Sequence, residues 1–167
     1  MPLPEDLLEQ AQFLVHREPR KPRQASLRRA VSTAYYAAFH LLGSEAARQS
    51  SPISPIGLRA KVWRSLDHGT MRDAAKRFES RNLPAAIKLL ATDPLPGALV
   101  AVARNFVRLQ EERHEADYDL ASRFDRARAQ DAVGLAARLF AYWNAVRNTE
   151  DARVFLASLM FWKLWSR

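Results

Sequence analysis

Residues 95–118, LPGALVAVARNFVRLQEERHEADY, decide the fold. At roughly 100° per residue, Leu95, Leu99, Val102, Phe106 and Leu109 fall on one stripe of a helix. The spacing predicts a long α-helix from Leu95 to Ala116, opened by Asp93-Pro94. Arg113 lands near the centre of the same apolar stripe. A guanidinium aimed at a core is costly unless it is paired, and Asp117, one turn on, is the nearest carboxylate. His114 lies to one side, with Tyr118 one turn further along its face. The helix therefore ends in two adjacent pairs, Arg113–Asp117 and His114–Tyr118, if it runs that far. Two uses for the Arg113–Asp117 pair stay open: an internal ion pair that braces the end of a bundle, or part of a site.

Working outward, the period of three and four recurs along the chain and nothing alternates as a strand would. A first helix is expected from Pro4 to Arg17, with Leu7, Leu8, Ala11, Leu14 and Val15 inside and Pro19 and Pro22 ending it. A long second helix follows from Gln24 to Arg48, its inner face Leu27, Val31, Ala34, Tyr35, Ala38, Leu41 and Leu42. A Ser/Pro-rich loop covers Ser50 to Pro55. Shorter helices are expected over Ile56–Leu66, from a Thr70 cap to Phe78, and over Ala85–Leu90. After a bend at Tyr118, Ser122 or Asp125 caps a helix to Arg147, and a last helix runs from Thr149 to Trp165. The expected architecture is all-α: one domain over residues 1–167, an up-and-down antiparallel bundle of four main helices plus short extra helices. The last helix is apolar on nearly every side, which fits either a buried closing helix or a homodimer contact.

The bulk numbers narrow the class. A chain of 167 residues, 48% hydrophobic, buries a core without disulfides or metal. It has no cysteine, which removes thiolate chemistry and leans toward a reducing cytoplasm. The first ten residues are acidic and lack an apolar core, so no secretory signal is visible. The apolar run Val154–Trp165 is broken by Ser158 and Lys163 and falls short of the ~20 residues a bilayer needs, which points to a soluble protein with no membrane partner. Net charge is +8, which favours polyanions and nucleic acid above all. The stretch Arg17, Arg20, Lys21, Arg23, Arg28 and Arg29 is the best RNA-contact candidate by charge density, against the simpler reading of a solvated linker and helix start.

Two segments together, Arg28-Arg29-Ala30-Val31-Ser32-Thr33-Ala34-Tyr35-Tyr36-Ala37-Ala38-Phe39-His40 and Glu112-Arg113-His114-Glu115-Ala116-Asp117-Tyr118, resemble the signature of the HEPN domain, a small helical bundle found in many RNases and their inactive relatives. The Ala34–Phe39 segment, the Asp67-His68-Gly69 turn and the Arg113-x-x-Ala-Asp-Tyr element resemble a branch of small HEPN proteins, many without demonstrated activity. Arg108, six residues before His114, fits the spacing of the RNase motif in the family, although Leu109 stands where active members commonly carry a polar residue. On an ideal helix Arg108 also points well away from His114, so a composite site would need a homodimer. The resemblance implies an RNA-directed protein and a metal-independent endoribonuclease mechanism with no cofactor. In it His114 moves a proton, Arg108 or Arg113 stabilises charge on phosphoryl oxygens, and Tyr118 orients the phosphate or the imidazole. It also implies toxin–antitoxin, antiphage or stress systems, often with a minimal nucleotidyltransferase as partner.

Other patterns are poorer. His16, His40, His68 and His114 are scattered without ligand spacing, so no metal site is expected, and no Gly-rich phosphate loop exists. Tyr36 and His40 share a face and border a cleft in the functional reading; His40 is otherwise an ordinary helix residue. Asp117 and His68 complete the binding candidates. Two alternatives stand beside the RNase: a non-catalytic helical module that binds a protein, nucleotide or RNA, and a structural dimer in which Arg113–Asp117 only braces the fold.

Overall fold

The computed structural model describes residues 2–50 and 56–166, with Ile56 described in its backbone alone. Among the described residues every regular element is helical: α1 (Leu3–His16), α2 (Gln24–Ser50), α3 (Ile56–Arg64), α4 (His68–Glu79), α5 (Ala85–Lys88), α6 (Gly97–Tyr118), α7 (Arg126–Val146) and α8 (Glu150–Trp165). The expected all-α class is therefore observed. The loop expected over Ser50–Pro55 lies outside the described residues except for Ser50, which closes α2 two residues beyond the expected end. No helix is long and apolar enough among the described residues to cross a membrane.

Helix boundaries follow local chemistry. Residues 19 and 22 are prolines, and α1 stops at His16 before them. For α4 the cap is Asp67, not the expected Thr70: its Oδ1 accepts the Thr70 amide and hydroxyl, each at 2.7 Å. A carboxylate reaches the third amide of a helix from the residue just outside it; Thr70, already inside the first turn, is the donor. Thr149 caps α8 by accepting the Ala152 amide at 3.2 Å, and Asp125 accepts the Arg128 amide at 2.8 Å ahead of α7. The end of α4 is closed by Arg81 in the left-handed region, φ 56°, with the Asn82 amide reaching back to the Arg77 carbonyl at 3.0 Å.

The chain forms two compact units, Met1–His40 with Asn105–Phe140, and Leu41–Arg104 with Ala141–Arg167. In the first, the segment Ser26–Phe39 of α2 is buried on nearly every side, interrupted only by Arg28, Arg29 and Tyr36. The expected single inner face is thus too narrow. Ala30, Ala34, Ala37 and Ala38 are fully buried, and their small side chains let neighbouring backbone approach from several directions. Tyr35, Phe106, Leu109, Phe124 and Leu139 fill the space between, each burial worth about 1.5–3 kcal/mol for a large apolar side chain. Leu7 and Leu8 are only half-buried, so the α1 stripe rests on Ala11, Leu14 and Val15.

In the second unit α4 packs against α8, with Phe78 and Phe155 edge to face at 5.0 Å. The Asp151 carboxylate near the start of α8 accepts the Thr92 amide at 2.7 Å and its hydroxyl at 2.9 Å. This unit holds all four tryptophans, Trp63, Trp143, Trp162 and Trp165. Of the apolar surface of α8, Phe155, Leu156, Leu159 and Trp162 are buried, whereas Phe161, Leu164 and Trp165 near its end stay exposed.

Candidate functional site

The first unit gathers the motif residues at the end of α6 against the middle of α2. Arg113, with a side chain only 15% exposed, places its Nε 2.7 Å from Asp117 Oδ2, one turn on. The N–H is off-line, so the contact is an ion pair rather than a hydrogen bond. Its Nη2 donates to the Tyr36 hydroxyl at 3.0 Å. The guanidinium carbon also lies 5.8, 5.5 and 5.5 Å from the ring centres of Tyr35, Tyr36 and Tyr118. Asp117 Oδ1 accepts the Ser32 hydroxyl in turn. The result is one polar chain, Ser32–Asp117–Arg113–Tyr36, bridging two helices. Burial works against the charge on Arg113, but Tyr36, Asp117 and Tyr118 outweigh it and its pKa is raised. The guanidinium is fixed as a cation.

His114 lies on the solvent side of this chain. Its imidazole is exposed and sits 5.1 Å, centre to centre, from the Tyr118 ring, itself 64% exposed. The two expected pairs therefore both form. The glutamates flanking Arg113 and His114 turn elsewhere: Arg128 of α7 takes Glu112 at 2.8 Å and Glu115 at 2.5 Å, its guanidinium 4.1 Å from the centre of the Phe124 ring. Arg128 and Ser122 hold the Glu115 carboxyl down to about 2.

The segment after α6 is pinned from α2. Gln24 donates its amide to the Phe124 carbonyl at 2.6 Å and accepts the Phe124 amide at 3.0 Å. Arg28 donates to the carbonyls of Ala116 at 2.8 Å and Asp119 at 2.9 Å, and to that of Ser122. These include carbonyls left open by the end of a helix. The sequence placed Arg28 in the RNA-contact stretch; the fold spends it on closing α6. Arg20, Lys21, Arg23 and Arg29 remain exposed. The backbone of their linker is held at Glu18 and Pro19, whose carbonyls accept from Arg126, the latter at 3.2 Å.

The other predicted residues are not brought to this point. Arg108 is exposed on α6, six positions before His114, where the helical turn directs it about 120° away. His40 is half-buried at the limit of the unit, its ring 6.0 Å from that of Phe39, and burial lowers its pKa. His68 belongs to the second unit as the first residue of α4. Among the described residues no group of three or more His, Cys, Asp or Glu side chains is placed to hold a metal ion. Sequence reasoning missed Ser32 as a member of the polar chain. The available signal was a hydroxyl one turn before Tyr36, on the same face of the helix. It also missed Gln24, whose partner Phe124 lies 100 positions on, and Arg128, whose partners Glu112 and Glu115 stand on the preceding helix.

Chemically, the arrangement offers an exposed imidazole and a phenol ring on a rigid helix end, with a locked guanidinium beneath. Comparison with protein-family models, with curated proteins and with solved structures finds no match for this chain.

Proposed function

We propose that this chain is a HEPN-like protein that acts on RNA through the His114–Tyr118 surface. One observation carries the reading: an exposed imidazole stands beside an exposed phenol ring on a helix end held rigid by the Ser32–Asp117–Arg113–Tyr36 chain. Imidazole is the side chain suited to moving protons near neutral pH. The step is a transesterification. His114 takes the proton of a ribose 2′-hydroxyl, the O2′–P bond forms, and the P–O5′ bond breaks. The departing 5′-oxygen gains a proton and a 2′,3′-cyclic phosphate remains. Tyr118 presents a flat face on which a base stacks. Arg113 is a positioning residue. The cation for the phosphoryl oxygens is Arg108 of a second copy in a homodimer, since on one helix Arg108 turns away from His114. The net charge of +8 and the exposed Arg20, Lys21, Arg23 and Arg29 supply the attraction for the backbone. A cytoplasmic setting and a minimal nucleotidyltransferase partner belong to the same reading.

A second reading, a non-catalytic module that binds RNA or a partner through the same face, draws on a different observation. The Arg113 guanidinium is already engaged by Asp117, Tyr36 and three rings, so it is not spare for phosphate.

The test is incubation of wild type and His114→Ala with RNA in EDTA, reading new ends for 2′,3′-cyclic phosphate. Cleavage by wild type, lost by at least 100-fold in a folded His114→Ala, is expected for general acid–base catalysis. RNA retained on the wild type without cleavage selects the binding module. Neither cleavage nor binding ends the RNA reading.

A further inference from the structure

The second unit contains a cleft of about 550 Å³ lined by Glu45, Arg48, Gln49, Arg59, Arg147, Arg153 and Leu156. Among the described residues four guanidiniums and one carboxylate thus share one concavity. The walls come from the end of α2, the start of α3, the residue after α7 and the start of α8. Glu45 holds two of the arginines at once, Oε2 to Arg48 at 2.6 Å and Oε1 to Arg147 at 2.7 Å. One carboxylate cannot neutralise two guanidiniums, and each retains further N–H donors. Arg153 meets Glu150 at 3.1 Å, but both side chains are largely exposed, so water and salt screen that pair. Gln49 donates to the Arg153 carbonyl at 2.9 Å and ties the α2 wall to the α8 wall. Leu156, buried beneath, adds an apolar patch.

Helix electrostatics account for half of this. Arg48 and Arg147 stand at the C-terminal ends of α2 and α7, where a cation offsets the helix dipole. Arg59 and Arg153 do not fit that explanation. Each is the fourth residue of its helix, in the first turn, where the dipole disfavours a cation. The helix ends therefore account for the positions of Arg48 and Arg147 but not for those of Arg59 and Arg153.

We propose that this cleft binds a small polyphosphate anion, a chain of two or more phosphoryl groups such as a nucleoside triphosphate or inorganic triphosphate carries. Guanidinium forks match phosphoryl oxygens two by two, and several in one cleft favour a multiply charged chain over a single phosphate. The volume falls within the range of small-ligand sites, about 300–1,000 Å³, and suits a bounded ligand better than a continuous nucleic-acid track. The site lies wholly in the second unit and is independent of the His114 surface.

The test is calorimetric titration of the full chain with inorganic triphosphate, ATP, inorganic phosphate and a short single-stranded RNA lacking a terminal phosphate, at fixed salt. One triphosphate per chain is expected, with single phosphate at least tenfold weaker. Arg48→Gln and Arg153→Gln, both with exposed side chains, are each expected to weaken triphosphate at least tenfold, and Arg153→Gln to do so with an unchanged unliganded Tm. Arg77→Gln, exposed on α4, is expected to leave affinity within twofold. ATP and inorganic triphosphate binding alike mean that the phosphate chain alone is read; ATP binding much more tightly means that the nucleoside is read as well. Equal weakening by Arg77→Gln, binding of RNA alone, or no binding of either triphosphate overturns the proposal.

Discussion

At the scale of the residue, Arg113 is the most heavily engaged side chain of the motif. An ion pair with one partner deleted leaves the other charge poorly solvated, at a cost of about 3–5 kcal/mol when fully buried. Asp117 keeps 27% of its side chain exposed, so the expected cost of Arg113→Ala is lower, about 2 kcal/mol. For a chain of this size that is a fall in Tm of roughly 4–8 °C. Because Asp117 is also held by Ser32, Arg113→Ala/Asp117→Ala should cost less than the two single changes added, and thermal melts of the four proteins measure the difference. Additive single effects would mean that the two side chains act independently. The Arg113–Asp117 pair was legible in the sequence because its partners stand four apart on one helix. Tyr36 and Ser32 were not legible as its other partners. They reach Arg113 and Asp117 across 77 and 85 positions, and no local period reports a contact that tertiary packing creates.

At the scale of the element, apolar period and proline positions were enough to place the helices, and the ends moved by up to three residues. The capping donor and acceptor at α4 show why: sequence offers both Asp67 and Thr70, and only geometry tells which accepts. The close of the same helix carries an avoidable cost. Arg81 holds φ at 56°, which an L side chain adopts at about 1–2 kcal/mol and glycine adopts freely. Its exposed position leaves the side chain little to lose. Arg81→Gly is therefore expected to stabilise the chain by about 0.5–1 kcal/mol, read as a higher midpoint in urea with an unchanged slope. A lower midpoint would show that the Arg81 side chain contributes more than its backbone costs. Close packing on the alanines of α2 was legible in the sequence; the burial of Ser26–Phe39 on nearly every side was not, because it arises only when several helices close on that segment.

At the scale of the whole molecule, charge is distributed by role. The guanidiniums of Arg28, Arg113 and Arg128 are engaged within the first unit, those of Arg20 and Arg23 stay in water with the amine of Lys21 between them, and four others line a cleft in the second. That last grouping left no trace in the sequence: its members are spread from Arg48 to Arg153, and each looks like an ordinary helix-end residue. Acid response also belongs to this scale, since each unit holds one carboxylate depressed to about 2, Glu115 by Arg128 and Ser122, and Asp67 by Thr70. A depressed carboxylate contributes stability above its unfolded pKa and loses it as pH falls toward the folded one. The window here runs from 4.5 for Glu115 and 3.8 for Asp67 down to about 2. Tm should fall through that window, and Glu115→Gln should lower Tm by about 2–4 °C at neutral pH, for a screened loss of about 1 kcal/mol, while converging on wild type near the bottom of the window. A constant gap between the two proteins across the window would remove Glu115 titration as the cause. The confinement of tryptophan to one unit has a practical consequence. Indole emission is a built-in optical label for the half of the chain that carries the arginine cleft, so a ligand for that site announces itself without any dye.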